Sequence, residues 1–590
     1  MNLSSTIKSI QDIMRKDDGV DGDAQRIGQL TWMLFLKIFD QCEETWEDDA
    51  EDRGEEYASP IKEECRWRNW AKYEEDDEGK KKPKIAASEL IKHVNNQVFP
   101  TLQNLNVENS PKAKVVRDVF EDTNNYMKSG TLMLGVIEKL DEAVDFHDAD
   151  KRQDIGDIYE QVLNDLRSAG NAGEFYTPRA VTKFMVQMVN PRLKKRESVL
   201  DPACGTGGFL TATIGHFNNQ VSKKSGADDR RAIAECIRGF ERKQLPHLLC
   251  VTNMLLHGIE VPSQIERRNT LANPWGEWSG SETDRYDCII TNPPFGGLED
   301  EGVGADYPSD VRTRETADMF LTLIIKKLLK KKGRGAVVLP DGTLFGDGVK
   351  AKVKELLLNE CNLHTIVRLP KGVFNPYTSI KTNLLFFTKG KPTETIWYYE
   401  HQYPKGQKSY SKTRPLKLEE LQPIAEWWGK ERGGFKDRVE TEQAWKIDFK
   451  QLKAEALEKA QPHWSKSESL SNEATDLNEH LKERRSAIKA EKKKAERKKL
   501  EDQLEAEESR LELLTQQSKD EQAAGDRHYW PIFNLDIKNA NAPEAEVHDP
   551  EKLLVKYKKL LGEIADTENK LKDELSAALS HQFEVGGGKQ

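Results

Sequence analysis

VLDPACGTGGFL, running from Val199 to Leu210, is the stretch on which the fold turns. A β-branched run ends at Asp201, and a turn containing Gly205, Thr206, Gly207 and Gly208 opens an apolar helical stretch. Glycines at such a point allow a tight turn and close approach of the backbone to a ligand. The spacing departs from the GxGxxG of dinucleotide enzymes, and no lysine follows the turn to complete a phosphate loop. The ligand that suits this turn is nucleotide-like and has no phosphate chain.

Working outward, strand-like runs alternate with helical ones. The predicted strands are SVLDP (198–202), IRGFE (237–241), YDCIITNPP (286–294), GAVVLP (335–340), HTIVRLP (364–370) and NLLFFTKG (383–390). TPRAVTKFMVQMV and ADMFLTLIIKKLLKK are among the helical stretches between them. Strand, crossover helix and strand repeating in this way imply an α/β fold with a largely parallel sheet covered on both faces. Ligands of such sheets bind at the carboxyl ends of the strands. Glu241 ends the strand after the glycine turn, where a carboxylate can accept hydrogen bonds from both hydroxyls of a ribose.

The motif IITNPPF (Ile289 to Phe295) sits at another such strand end. Proline has no N–H, so a turn built on Pro293 and Pro294 leaves carbonyls facing outward. An exocyclic amino group on a base is a poor nucleophile, because its lone pair is delocalised into the ring. The Asn292 side-chain oxygen and the Pro293 carbonyl can accept both N–H groups and favour a pyramidal nitrogen in the transition state. Phe295 can stack on a base flipped from a duplex. Methyl transfer in line from a sulfonium then proceeds mainly by positioning, and the sequence offers no evident general base. Methyl transfer to a planar amino group is the chemistry this motif fits.

Composition narrows the setting. The chain has 590 residues, 37% of them hydrophobic, and a net charge of −10. No segment approaches the roughly 18 uninterrupted apolar residues of a membrane span, and MNLSSTIKSIQDIM does not read as a signal peptide. Seven scattered cysteines (42, 65, 204, 236, 250, 288, 361) include no CxxC pair. That pattern argues against a zinc site or other bound metal and fits a reduced cytoplasm, with Cys204 a small buried residue. The acidic charge is awkward for a protein that binds duplex DNA unaided, since such proteins carry a basic footprint.

Four regions follow. Residues 1–165 read as an N-terminal helical domain, with Ile27, Leu30, Leu34, Ile38 and Phe39 at helical spacing. Residues 166–400 form the catalytic sheet, and 401–470, rich in Lys, Tyr and Trp near their start, read as a connection. Residues 471–590 read as long helices, one charged and running roughly from Ser471 to Lys519 with a basic first half and an acidic second half. That charged stretch suits a solvated helix or helical hairpin, with a nucleic-acid arm as the other reading.

EFYTPRAV, DPACGTGGFL, NMLLHG, NTLA, TNPPFGG, VVLPDGTLFG and VRLPKGVFNPYTSIKTNLLFF together resemble the modification (M) subunits of type I restriction–modification systems. These HsdM-type DNA adenine-N6 methyltransferases belong to the γ group by the order of their motifs. DAQRIGQLTWMLFLKIFD and DIGDIYEQVL are similar to that family too, so the resemblance spans about residues 1–400. It implies a Rossmann-like S-adenosylmethionine-dependent methyltransferase sheet. It further implies that Glu174, Phe175, Tyr176, Thr177, Pro178 and Arg179 line the cofactor pocket; the family often has Gln at the position of Glu174. Asp201 and Gly205 belong to the same pocket, Thr206, Gly207 and Gly208 touch the methionine part, Glu241 the ribose, and Asn269 with Thr270 the cofactor adenine. Asn292, Pro293, Pro294 and Phe295 hold the target adenine. Only a short connection follows the last predicted strand before the charged helices, too little for a base-reading domain. The resemblance therefore implies a separate specificity (S) subunit, two M chains to one S, docked on the C-terminal helices, with a restriction (R) subunit as a further partner. Two rival readings are an amino-methyltransferase acting on RNA or protein glutamine, and a non-catalytic scaffold.

Overall fold

The run from Leu30 to Phe39 has no polar face long enough to meet water, so a helix carrying it must be covered all round. In the computed structural model this run lies inside a 31-residue helix, Gly22–Asp52, and Trp32, Met33, Phe35 and Ile38 are fully buried. Phe99 and Phe120 stand edge-on to Trp32, with ring centroids 5.1 and 6.5 Å away. The structure describes residues 3–75, 81–143, 159, 176–221, 227–272, 278, 281–375, 378–411, 413–490, 492–541 and 550–586. A small antiparallel ribbon, β1 (Tyr73–Glu75) with β2 (Lys81–Pro83), edges the helical part.

The helical part packs directly on the sheet's flank. Gln244 donates to the Thr123 hydroxyl at 3.0 Å, and the buried Tyr159 hydroxyl donates to the Leu249 carbonyl at 2.9 Å. Both partners lie on the helix Gln244–Leu256, which is buried along nearly its whole length. That helix follows the strand ending at Glu241, so the N-terminal region braces one side of the site.

The sheet has nine strands: β3 (Val199–Asp201), β4 (Ile237–Glu241), β5 (Ile265–Arg267), β6 (Tyr286–Thr291), β7 (Leu329–Pro340), β8 (Cys361–Arg368), β9 (Thr382–Lys389), β10 (Thr395–Glu400) and β11 (Ala444–Asp448). Their spatial order is β11-β10-β8-β9-β7-β6-β3-β4-β5. The pairs β4–β5, β3–β4, β3–β6, β6–β7 and β8–β10 are parallel, whereas β9 runs antiparallel between β7 and β8, and β11 is antiparallel to β10. The order reverses beside β3, and the crevice at such a switch point is where α/β sheets bind ligands. The central strands are apolar on both faces, as in Leu200, Ile289, Ile290, Val337 and Val338, all fully buried.

The six predicted strands correspond to β3, β4, β6, β7, β8 and β9. Three more complete the sheet. β5 is only three residues long, and β10 and β11 lie in or beside the stretch read as a connection. That stretch is packed, not loose: the Arg438 guanidinium lies 3.8 Å from the Phe435 ring centroid and 4.6 Å from that of Trp427.

Of the two forms expected for the charged stretch from Ser471 to Lys519, a solvated helix or a helical hairpin, the structure shows the hairpin. One helix runs Phe449–Ala490 directly out of β11, and a second returns as Lys494–Tyr529. The turn falls in the run AEKKK, where consecutive like charges and no seam residue disfavour continuing the helix. In the first helix the buried residues Ala460, Ser467, Ala474, Leu481 and Ile488 recur every seven residues, the seam of a coiled coil. The base is anchored by Phe449, Tyr529 and Phe533, whose rings pack within the sheet's core.

Residues 540–590 form a separate unit. Its described part is one helix, Pro550–Gly586, on which Leu553, Tyr557, Leu560, Ile564 and Leu571 are exposed at alternating spacings of three, four and seven residues. Among the described residues no helix is long and apolar enough to cross a membrane.

Candidate active site

A cavity of about 300 Å³ opens at the carboxyl ends of β3, β4 and β6. Of the residues read as cofactor-binding, Tyr176, Thr177, Arg179, Asp201, Gly205, Thr206, Gly208, Glu241 and Asn269 line it, as do Asn292, Pro293 and Pro294. Pro178 and Gly207 stand behind that wall: Pro178 precedes the first turn of the helix Arg179–Val189, and Gly207 begins the helix Gly208–Asn218. Phe295 is half-buried beside the cavity, edge-on to Phe374 at 6.2 Å. Glu174 and Phe175 lie outside the described residues.

The glycine turn is explained by what surrounds it. Gly207 has φ +81°, and a Cβ there would fall 2.8 Å from the Cys250 sulfur. Gly205, also left-handed at φ +52°, faces open space, so the backbone itself forms the cavity wall. Glu241 fixes this turn from the next strand: its carboxylate accepts from the Gly205 N–H at 2.9 Å and the Lys243 N–H at 2.8 Å. Asn253, fully buried on the bracing helix, donates to the Thr206 carbonyl at 3.0 Å. Cys204 is buried with its sulfur 3.8 Å from that of Cys250, and its thiol is held protonated by that contact and by burial.

Asp201 joins the two motifs. Its Oδ1 accepts from the Thr291 hydroxyl at 2.7 Å and from the Ala203 N–H at 3.2 Å. The residue is 1% exposed, and loss of hydration pushes its pKa up to about 7. Thr291 precedes Asn292, so one carboxyl sets both the glycine turn and the start of the NPPF turn.

Asn292 is held in one orientation. Its Nδ2 donates to Thr177 Oγ1 at 2.9 Å, while its Oδ1 is buried and has no hydrogen-bond partner among the described residues. The NPPF turn is pinned from the far side by Thr316, whose hydroxyl donates to the Pro294 carbonyl at 2.8 Å. An unsatisfied buried acceptor costs about 1–3 kcal/mol and persists where something else is meant to fill it. The arrangement presents an acceptor to an N–H group arriving in the cavity.

Several residues of the site carried no motif signal. Glu299, 6% exposed, accepts from Arg242 at 3.1 Å and Asn269 at 3.3 Å, closing the cavity's far end. It reaches there because Gly297–Glu299 pairs with Arg314–Thr316 across a long excursion, with Thr316 N–H donating to the Gly297 carbonyl at 3.0 Å. Only the folded chain shows that residues 299 and 316 are neighbours. Thr270, which the family resemblance also places in the site, lines the cavity and donates to the Pro202 carbonyl at 2.7 Å, so supporting the turn from β5's side. Among the described residues no cluster of His, Cys, Asp or Glu could hold a metal ion.

Burial of Asp201 has a consequence for stability. A carboxyl whose pKa is raised on folding favours the folded state below its unfolded value, near 4, and loses that advantage as pH rises through about 7. The urea midpoint of the native chain should therefore fall relative to that of Asp201→Asn between pH 5 and 7.5. A constant difference between the two chains over that range would contradict the assignment.

Comparison with known proteins fits this geometry. Residues 150–473 match the N-6 DNA Methylase family, and residues 3–140 match the HsdM N-terminal domain. The chain is 47% identical over 582 residues to the type I restriction enzyme EcoEI methylase subunit of Escherichia coli, covering 98% of this chain and 99% of that one. Among solved structures, a modification subunit of a putative type I restriction enzyme from Vibrio vulnificus YJ016 is 39% identical, with TM-score 0.63 over 76% of this chain and 93% of that one. A chain from a type I R-M system studied for its complex assembly and conformational transition is 29% identical, with TM-score 0.66 and 98% of each chain covered. The protein belongs to the N-6 DNA methylase family and, within it, to the methylase subunits of type I restriction enzymes.

Proposed function

We propose that this chain transfers a methyl group from S-adenosylmethionine to N6 of an adenine flipped out of duplex DNA, at a site chosen by a specificity subunit. The observation that carries the reading is the Asn292 oxygen, buried and without a partner among the described residues, on a residue that lines the cavity at the NPPF turn. A family of adenine-N6 DNA methylases sets aside the RNA, glutamine and scaffold readings.

The residues present fit the cofactor. The open backbone at Gly205, the Glu241 carboxylate beside it and Asn269 across the cavity supply a cradle, a ribose acceptor and a partner for an adenine. S-adenosylmethionine, when bound there, supplies an electrophilic methyl group. Everything else in the reaction is done by the chain. Asn292 Oδ1 accepts one N6 hydrogen and the Pro293 carbonyl the other, which draws the nitrogen lone pair out of the ring plane. Thr316 donates to the Pro294 carbonyl and so fixes the turn from its far side. Phe295, edge-on to Phe374, provides the face on which the extruded base stacks. Lining by Phe209, Phe240, Pro246 and Phe320 keeps water from the reacting atoms.

The choice of adenine is made elsewhere. β11 ends the sheet at Asp448, and the charged hairpin begins at once, so no base-reading domain intervenes. We assign docking of the specificity subunit to the helix Pro550–Gly586, whose row of exposed Leu, Ile and Tyr side chains suits a helical partner. The base of the hairpin belongs to the sheet's core, which narrows the docking surface from 471–590 to the final helix. Buried cysteines that remain thiols suit a reducing compartment, and we place the enzyme in the cytoplasm.

Asn292→Ala should lower methyl transfer to duplex DNA by roughly 10²–10³-fold, the effect of losing one transition-state hydrogen bond, with assembly and DNA binding retained. Methylation near wild type would remove this mechanism. Thr177→Val should lower kcat about tenfold at saturating cofactor, by freeing Asn292 to turn, and Thr177→Ser should restore it. A raised cofactor Kd with unchanged kcat would instead make Thr177 a cofactor contact alone. A chain ending at Asn539 should bind cofactor normally in calorimetry yet fail to co-purify with the specificity subunit. Retained co-purification would exclude the final helix as the docking element.

A further inference from the structure

The charged hairpin has no part in the site described above, and its charges are not spread evenly. Between Lys482 and Lys499 the sequence carries ten Lys or Arg against three Asp or Glu, in a chain whose net charge is −10. Folding places that stretch at the tip, because the helix Phe449–Ala490 turns back just after Ala490. Nearer the base, cations and anions face each other and cancel. Lys466 pairs with Glu521 at 2.6 Å, Arg510 with Glu473 at 2.7 Å, Arg484 with Glu507 at 2.7 Å and Arg485 with Glu508 at 2.6 Å. Beyond the last of these pairs the pattern changes. Lys489, Lys492, Lys498 and Lys499 are exposed and make no ion pair among the described residues. The surplus positive charge is thereby concentrated on the outermost turns of two helices.

A stem this long holds the tip well away from the fold. Ile488 lies 28 residues beyond Ala460 on one helix, a rise of about 42 Å at 1.5 Å per residue. Pairing along the stem and the heptad seam keep it straight and stiff. Four lysines on a narrow end, without the fixed forks of arginine or a pocket for a side chain, match repeated phosphates and not a particular base. A chain that must engage DNA while carrying net negative charge gains most from cations placed at a distance from its acidic body.

We infer that the hairpin tip grips the phosphodiester backbone of the duplex, supplying sequence-independent affinity apart from the target adenine. This rests on the reading of DNA as the substrate and adds a second point of contact to it. The test uses the full chain assembled with its specificity subunit, comparing native protein with a Lys489→Gln, Lys492→Gln, Lys498→Gln, Lys499→Gln variant and its all-Arg counterpart. Binding to a 60-base-pair duplex without the recognition site is followed by fluorescence anisotropy across a series of salt concentrations. Four lost phosphate contacts per chain at about 0.9 each should flatten the plot of log affinity against log salt by roughly 3 to 4 for each tip engaged on the duplex. Affinity at low salt should fall at least tenfold, and the all-Arg variant should behave as native. Methylation at saturating specific DNA should be unchanged in both. An unchanged slope and affinity in the Gln variant would overturn the inference. So would loss of subunit co-purification with an unchanged slope, which would make the tip a protein contact. Absence of adenine methylation by the native complex would instead overturn the underlying reading, so the two failures are distinguishable.

Discussion

Thr291 gives its hydroxyl hydrogen to the buried carboxyl of Asp201 across the neighbouring strands β6 and β3, and the rest of the site is arranged around that link. On one side of it the backbone enters the glycine turn, which Glu241 and Asn253 hold open. On the other side it enters the NPPF turn, which Thr177 and Thr316 hold closed. A shift of one strand against the other would separate the methyl donor's cradle from the acceptor for the amino group. The reaction depends mainly on distance and alignment. A short bond inside a dry sheet is therefore a sound place to fix them.

The consequence is a division between rigid and open parts. Gly205 presents bare backbone, and the Asn292 side chain keeps an acceptor without a partner among the described residues, while Glu241, Thr177 and Thr316 are engaged in holding the two turns. Unmet polarity at the wall of a cavity marks what the site is built to receive.

Much of this was readable in the residues. Asp201, the glycines, Glu241 and Asn292 lie within short motifs at strand ends, where local pattern and topology agree. The central strands were legible because burial on both faces leaves unbroken apolar runs. β5 escaped because three residues carry no period. β10 and β11 escaped because tryptophans and lysines there pack against one another across the chain, which composition reads as surface. Glu299 and Thr316 belong to the site only through a long excursion that folds back on itself. The charged stretch read as a helix or a hairpin, and the hairpin turns at the basic run where the apolar seam changes phase, a cue visible in the spacing of Leu481, Ile488, Leu500 and Leu504. The roles of Thr177 and Thr316 required the fold, since a threonine in a motif does not say to which atom it bonds.

Charge ties these parts to the partners. The chain is acidic overall, its basic surplus stands at the end of a stiff stem, and its exposed apolar row stands on a separate helix. Catalysis, grip and choice of site are thus carried by different surfaces. The central claim is that the Asn292 oxygen waits for the amino group of the target adenine. A structure of the assembled complex on its duplex, with an unreactive analogue of the methyl donor, tests this most directly. The account predicts the N6 nitrogen of an extruded adenine within about 2.7–3.2 Å of both Asn292 Oδ1 and the Pro293 carbonyl. An extruded adenine with its amino group bonded elsewhere, and Asn292 Oδ1 satisfied by the protein itself, would contradict it.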